Sequence, residues 1–234
     1  MAERVKPKRR YQSPRRREQA AATRHEILDA AQRLFERDGY APTTMAAIAA
    51  EARVALKTVY IAFETKSGLL RALWNHGLRG GQDDVPVAEQ QWYRAVLDEP
   101  DPERQLRINA HNSAHGKLRI GGLLEVIRSA APTDPEIAAL WHRIQTEYHA
   151  NQGAIVQSIN DKGALKPTLD VTQATDILWT LNHPNTWQLL TGQRRWTADR
   201  YEQWTGDLAV EQLLHRSTRA GGRAERGGRG SRRG

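Results

Sequence analysis

Residues 43–66 read TTMAAIAAEARVALKTVYIAFETK, and the reading of this stretch decides the fold. Thr43 or Thr44 caps a helix whose Met45, Ile48, Ala49 and Ala52 place small and apolar groups on one face. A break follows at Glu51 to Ala55, and a second short helix through Leu56, Val59 and Phe63 carries Lys57, Thr58 and Tyr60 at its polar positions. Two short helices joined by a tight turn, small where they touch and polar on one outer face, make a helix-turn-helix. Upstream, Thr23 to Asp38 reads as a helix, with Thr23 and Glu26 spaced as a capping box. Its Ile27, Ala30, Ala31, Leu34 and Phe35 share a face, and Gly39 stops it. Downstream, Thr65 is the expected N-cap of a helix running from Lys66 through Leu69, Leu70, Leu73 and Trp74.

The set Thr44, Ile48, Ala49, Val54, Thr58, Val59, Tyr60, Phe63, Lys66, Leu69 and Leu70 resembles the signature of tetracycline-repressor-like (TetR family) transcriptional regulators, over about Thr23 to Leu73. The sequence departs from that pattern at Arg53, where the family usually has glycine, so a non-glycine residue must adopt an unusual backbone angle at the turn. The resemblance implies that the second helix enters the major groove of double-stranded DNA. Lys57 and Thr58 then face the bases and Tyr60 reaches the backbone. Thr44 and Lys66 join this DNA-binding set, Lys66 approaching a phosphate beside the amides of its helix N-terminus. The bland alternatives are a solvated Lys57, a surface-filling Thr58 and a core Tyr60 with its hydroxyl at the edge.

The chain of 234 residues has room for a substantial core, and its net charge of +8 is unevenly spread. Residues 1–24 hold nine Lys/Arg against two Asp/Glu, and residues 216–234 hold seven Arg against one Glu. The body, 25–215, keeps 19 basic and 24 acidic residues and is net negative. Nucleic-acid binding therefore cannot be argued from the basic pI alone. Residues 1–22, broken by Pro7 and Pro14 and nearly without core formers, are expected to be a disordered basic arm. In it Arg15, Arg16 and Arg17 track phosphates or enter the minor groove, unless the arm only solubilises. Residues 216–234 are expected to be a disordered Arg/Gly-rich tail, with no aromatic residue for stacking on bases. The chain has no cysteine, which excludes disulfides and thiol catalysis. No apolar run approaches membrane-spanning length and no signal-peptide segment is present, so no membrane partner is expected and a cytoplasmic location is.

Residues 80–87, GGQDDVPV, read as a linker between a helix-turn-helix DNA-binding domain over 23–79 and a helical regulatory and dimerisation domain over 88–215. Trp92, Val96 and Leu97 suggest a short helix, Pro102 starts another, and Ile120, Leu123, Leu124 and Ile127 follow helical spacing. Thr133-Asp134-Pro135-Glu136 is a strong helix start, and Asp170 with Gln173 is a capping-box pair. Pro184 should interrupt the helix it follows, and Thr197 should cap the last one. Convincing strand alternation is absent from the sequence, and the fold is expected to be all-α.

The sequence carries no nucleophile elbow, phosphate-cradling loop or metal motif, so no catalytic residue, metal or cofactor is expected. His111 and His115 share a helical face, but the pair lacks an evident third ligand. All seven tryptophans lie outside the helix-turn-helix. Trp74 and Trp141, beside Asn109, Ser113 and Tyr148, are candidates for a small-molecule pocket with apolar walls and few polar groups. By resemblance the two C-terminal helices form a four-helix dimer interface, here through Ile177, Leu178, Leu181, Trp187, Trp204 and Leu208. The resemblance thus implies a homodimeric repressor that binds a pseudo-palindromic operator and is released by a small-molecule effector. An activator, a constitutive DNA-binding protein and a helical-bundle enzyme are the alternatives.

Overall fold

The computed structural model describes residues 14–79 and 86–215, and among these it is built from helices. Extended pairing is confined to one bridge between Leu165 and Leu214. Of the segments expected to be irregular, residues 1–13, 80–85 and 216–234 lie outside the described part.

The first helix, α1, spans Pro14–Asp38 and so begins well before the expected Thr23. Thr23 and Glu26 lie inside it rather than at its cap. Proline is tolerated in a first turn, and Arg, Glu, Gln and the run Ala20-Ala21-Ala22 are good helix formers, so the basic segment continues the helix instead of hanging from it. Ile27, Leu28, Ala31, Leu34 and Phe35 are buried on its inner face, and Gly39 ends it at φ 86°. Helix α2, Met45–Glu51, is capped by Thr44, whose side chain accepts from the Ala47 N–H at 3.1 Å. Arg53 makes the turn at φ 56°, the left-handed angle that its place in the motif demands. Helix α3, Leu56–Phe63, buries Val59 and Phe63. Helix α4, Lys66–Arg79, starts so close to the end of α3 that a Cβ on Gly68 would lie 2.5 Å from the Phe63 carbonyl oxygen.

The body starts with a short 3-10 turn, Val87–Glu89, and α5, Gln91–Leu97. Two long helices follow, α6 at Pro102–Ala130 and α7 at Pro135–Asp161. Each opens on Asp-Pro: Asp101 and Asp134 accept from the first free amides, and the proline gives up an N–H that the first turn would leave unpaired. Helix α8, Val171–Leu181, carries the Asp170–Gln173 capping box. Pro184 interrupts as expected, opening the short α9, Pro184–Trp187, which runs into a π-helical turn at Gln188–Gln193. Thr197 caps α10, Ala198–Leu213, by accepting from the Arg200 N–H.

The apolar faces close into cores that ignore the expected domain boundary. One cluster runs from Ile27 through Ile48, Val59 and Leu70 into Leu123, Ile127, Ile137 and Ile144. The helix-turn-helix therefore shares buried surface with α6 and α7. A second cluster, including Val96, Leu106, Ile155, Leu178 and Leu213, fills the opposite end of the body.

Candidate nucleic-acid interface and body cavity

Helix α3 turns Val59 and Phe63 inward, which forces positions 56, 57, 60, 61 and 64 outward. Lys57 is exposed, Tyr60 is 48% exposed and Thr58 is half-buried. Ile61, which sequence reasoning did not single out, is 73% exposed on the same face. Its signal was its place four residues after Lys57, one helical turn along. An apolar side chain standing in water on such a helix suits contact with a thymine methyl. Arg24 was also missed: its guanidinium donates to the Ala62 carbonyl at 2.9 Å and lies 4.2 Å over the Phe63 ring, holding α1 to the end of α3. Thr44 is exposed with its oxygen engaged as the α2 cap. Arg15, Arg16 and Arg17 are exposed in the first turn of α1.

Lys66 does not point to a phosphate, which corrects its expected role. Its ammonium donates to the carbonyls of Tyr40 at 2.9 Å, Thr43 at 3.0 Å and Ala41 at 3.3 Å, and sits 4.2 Å over the Tyr40 ring. These carbonyls belong to the loop between α1 and α2, so the amine is spent on closing that loop onto α4. Burial pushes its pKa down, while the Asp134 carboxylate acts in the opposite sense. The same loop is tied to the body. Tyr40 donates through its hydroxyl to Asp134 Oδ2 at 2.7 Å, and Ser67 donates to Glu136. Both acceptors stand at the N-terminus of α7, and the Tyr40 hydrogen bond is the main reason the Asp134 carboxyl is held below the usual range.

Between α4, α5, α6 and α7 lies a cavity of about 320 Å³. Trp74, Trp92, Tyr93, Ile120 and Ile144 supply apolar wall. Of the expected lining residues, Trp74, Asn109, Ser113 and Tyr148 are there, and Trp141 is not. Trp141 packs at the edge of the first core and lines a separate crevice of about 10 Å³. Asn109 Nδ2 donates to Gln152 Oε1 at 2.9 Å. Two polar groups that sequence reasoning passed over also line the space, Lys117 and Gln145. Lys117 is only 6% exposed, and desolvation pushes its amine down to about 7. It donates to the Ser113 carbonyl at 3.3 Å and to Ser113 Oγ. Tyr148 gives its proton to the Asn182 carbonyl at 2.8 Å, so across the 3.1 Å contact Ser113 is the donor to Tyr148. In the sequence Lys117 stands between the polar run His111-Asn112-Ser113 and Arg119, and a lysine in such company reads as a solvated cation, which is why the sequence did not reveal its burial.

The residues assigned to the dimer face divide. Ile177, Leu181, Trp204 and Leu208 are partly exposed on α8 and α10. Leu178 and Trp187 are not available to a partner: Leu178 is 0% exposed in the second core, and Trp187 packs edge-on against Tyr201 inside the protomer. The histidine pair gains what the sequence lacked. Glu202 on α10 lies 3.0 Å from His111 Nδ1 and 3.6 Å from His115 Nδ1, so three donor groups gather within 4.8 Å. Glu202 is thus a third group beside the pair that was not evident in the sequence. His115 Nδ1 also lies 3.1 Å from the His111 carbonyl, and the trio as arranged is a polar tie between α6 and α10.

Residues 27–73 match the family profile described as bacterial regulatory proteins, tetR family. Among curated protein sequences nothing matches significantly. Among solved structures the fold recurs in a SmeT–triclosan complex, 20% identical over 84% of this chain and 93% of that one, with a TM-score of 0.68. It recurs in NalD, the secondary repressor of the MexAB-OprM multidrug efflux pump in Pseudomonas aeruginosa, at 20% identity over 85% of this chain and 99% of that one, TM-score 0.67. A TetR transcription regulator from Haloarcula marismortui is 18% identical over 83% of this chain and 100% of that one, TM-score 0.63. No helix among the described residues is long and apolar enough to cross a membrane. Residues 27–73, which contain the helix-turn-helix, thus match the tetR-family profile, and the helical fold around them recurs in solved structures that include a TetR transcription regulator.

Proposed function

We propose that this chain is a transcriptional regulator of the tetR type, a homodimeric repressor that holds a pseudo-palindromic operator in double-stranded DNA and releases it when a small molecule fills the body cavity. Its chemistry is binding rather than catalysis, and it acts in the cytoplasm. The observation that carries this reading is that α4 and α7 each serve both ends. Trp74 of α4 and Ile144 and Tyr148 of α7 line the cavity, while Lys66 and Ser67 of α4 and Asp134 and Glu136 at the start of α7 hold the α1–α2 loop and the helix-turn-helix. A molecule that separates α4 from α7 must therefore disturb the seat of α3. It does so only to the extent that it binds the DNA-incompetent arrangement more tightly. SmeT, a neighbour by fold, is known in complex with triclosan, which supports a ligand in such a body.

On DNA, Lys57, Thr58 and Ile61 face the bases in the major groove from each protomer, Tyr60 reaches the backbone, and Arg15 to Arg17 add phosphate contacts at the head of α1. Thr44 joins them at the start of α2. Ile177, Leu181, Trp204 and Leu208 pack around the two-fold axis. Selection of bound sequences from a random DNA pool, using the full chain, tests the reading. A palindrome should be recovered, and Thr58→Ala should narrow the gap between operator and random DNA with little change in salt dependence. Recovery of no enriched sequence, or of one that lacks two-fold symmetry, would refute it.

A further inference from the structure

The cavity has a chemical signature that its shape alone does not supply. Lys117 places a buried amine at its wall, 5.8 Å and 5.5 Å from the Tyr148 and Tyr201 ring centres. It forms no ion pair with a carboxylate among the described residues, and burial pushes its pKa down. A neutral amine has two N–H groups, and the Ser113 carbonyl and hydroxyl take both. A protonated amine has a third, for which no acceptor is present among the described residues. A second donor is orphaned independently. His183 Nδ1 accepts from the Asn185 N–H at 3.1 Å, so the ring proton sits on Nε2 and is donated to Gln145 Oε1 at 2.7 Å. That contact fixes the orientation of the Gln145 amide and leaves its Nε2 buried without a partner. Buried polar groups are nearly always satisfied, and an orphaned donor beside a cavity calls for an acceptor from outside the chain.

Resting on the effector-released reading above, we propose that the effector is an organic carboxylate: its oxygens accept from Lys117 and from Gln145, and its apolar body lies against Trp74, Trp92 and Ile144. A cation or a purely apolar molecule leaves the Gln145 amide unpaired and gives a protonated Lys117 no countercharge, whereas a carboxylate satisfies the amide and supplies that countercharge. The other titratable groups around the amine do not compete for that role. Tyr148 and Tyr201 are held protonated by burial, and His183 is held neutral by burial and by Lys117 itself. His115, Arg119 and Glu147 also line the cavity, while Glu125 and Arg128, across the small crevice, pair with each other. The bound anion draws the Lys117 amine into its protonated form, so binding above neutral pH takes up a proton.

The test is calorimetric titration of the full chain with matched pairs: the alkanoates from hexanoate to dodecanoate, 4-butylbenzoate and 2-naphthoate, each beside its own amide. The acids should bind roughly 10- to 100-fold more tightly than the amides. At pH 8, in buffers of different ionisation enthalpy, binding should take up close to one proton. Lys117→Met should erase the preference, and Gln145→Leu, which leaves the lysine in place, should reduce it. Amides that bind as well as their acids, absence of proton uptake, a preference that survives Lys117→Met, or no acid bound at millimolar concentration would each overturn the carboxylate assignment. Operator affinity measured with the same ligands reports separately on the regulatory reading. An acid that binds with proton uptake yet leaves operator affinity unchanged supports the carboxylate site and refutes release by an effector.

Discussion

Replacing Tyr40 by Phe removes one oxygen from the seam between the DNA-reading unit and the body and leaves everything else at that position in place. The ring stays buried against Phe35, at 5.7 Å between centroids, and under the Lys66 ammonium. What is lost is the 2.7 Å hydrogen bond to Asp134 Oδ2. A hydrogen bond to a charged acceptor contributes about 1.5–3 kcal/mol, and Asp134 is only half-buried, so water can partly replace the hydroxyl and the lower end of that range applies. With a urea m-value of about 3 kcal/mol/M, a loss of about 1.5 kcal/mol moves the midpoint down by about 0.5 M. The cost has a pH signature. The hydrogen bond holds the Asp134 carboxyl below its usual range in the folded protein, so its contribution is complete above the unfolded value near 4 and is lost as pH falls through the lower folded value. Tyr40→Phe should therefore be fully destabilising at pH 7 and progressively less so toward pH 3. Urea denaturation at a fixed protein concentration measures it, repeated in an Asp134→Ser background that keeps the helix cap but cannot reach Tyr40. A cost at pH 7 below about 0.5 kcal/mol, or an equal cost with and without Asp134, would refute the reasoning. If the seam also carries the effector signal, Tyr40→Phe should shrink the factor by which ligand weakens operator binding more than it changes operator binding itself.

Arg53→Gly should raise the melting temperature by about 2–3 °C in a thermal scan, since an exposed side chain at φ 56° pays about 1 kcal/mol of strain that glycine avoids, and a lower melting temperature would contradict this. Lys117→Met should stabilise the unliganded protein at pH 7 by as much as about 4 kcal/mol, the cost of an amine whose folded pKa of about 7 lies well below its unfolded 10.5. That cost is complete below the folded value and disappears as pH rises toward the unfolded one, so urea midpoints of the two proteins should converge by about pH 10; a variant less stable than the parent at pH 7 would sink the account of an uncompensated amine. Trp204→Asp should yield monomers by light scattering, because it places a charge on the partly exposed α8–α10 face, and an unchanged dimer mass would move the interface elsewhere.

The helix-turn-helix was legible in the sequence because its signals are local. Caps at Thr44, Asp134 and Thr197, the stop at Gly39, the break at Pro184 and the i, i+4 pairing of Val59 with Phe63 each depend on neighbours within a turn or two, and all stand in the structure where the residues implied. The start of α1 differs from the expected Thr23 for a related reason: the capping-box spacing at Thr23 is a local signal, but the helix propensity of Ala20-Ala21-Ala22 carries the helix through it from Pro14. Partnership across the fold was not legible. That Lys66 closes a loop 23 to 26 residues upstream, that Leu178 and Trp187 turn inward while Trp204 does not, and that Glu202 meets His111 and His115 depend on how helices distant in sequence pack together. Periodicity tells which face of a helix is apolar, but a body of helices offers several neighbours to every face, and only their packing decides which polar side chain is buried with them. Lys117 is the sharpest case: as a residue it reads as a solvated cation, and only the convergence of α6, α7 and α10 encloses it beneath tyrosines with no counterion, where the cost of desolvating its charge makes it a group that waits for one.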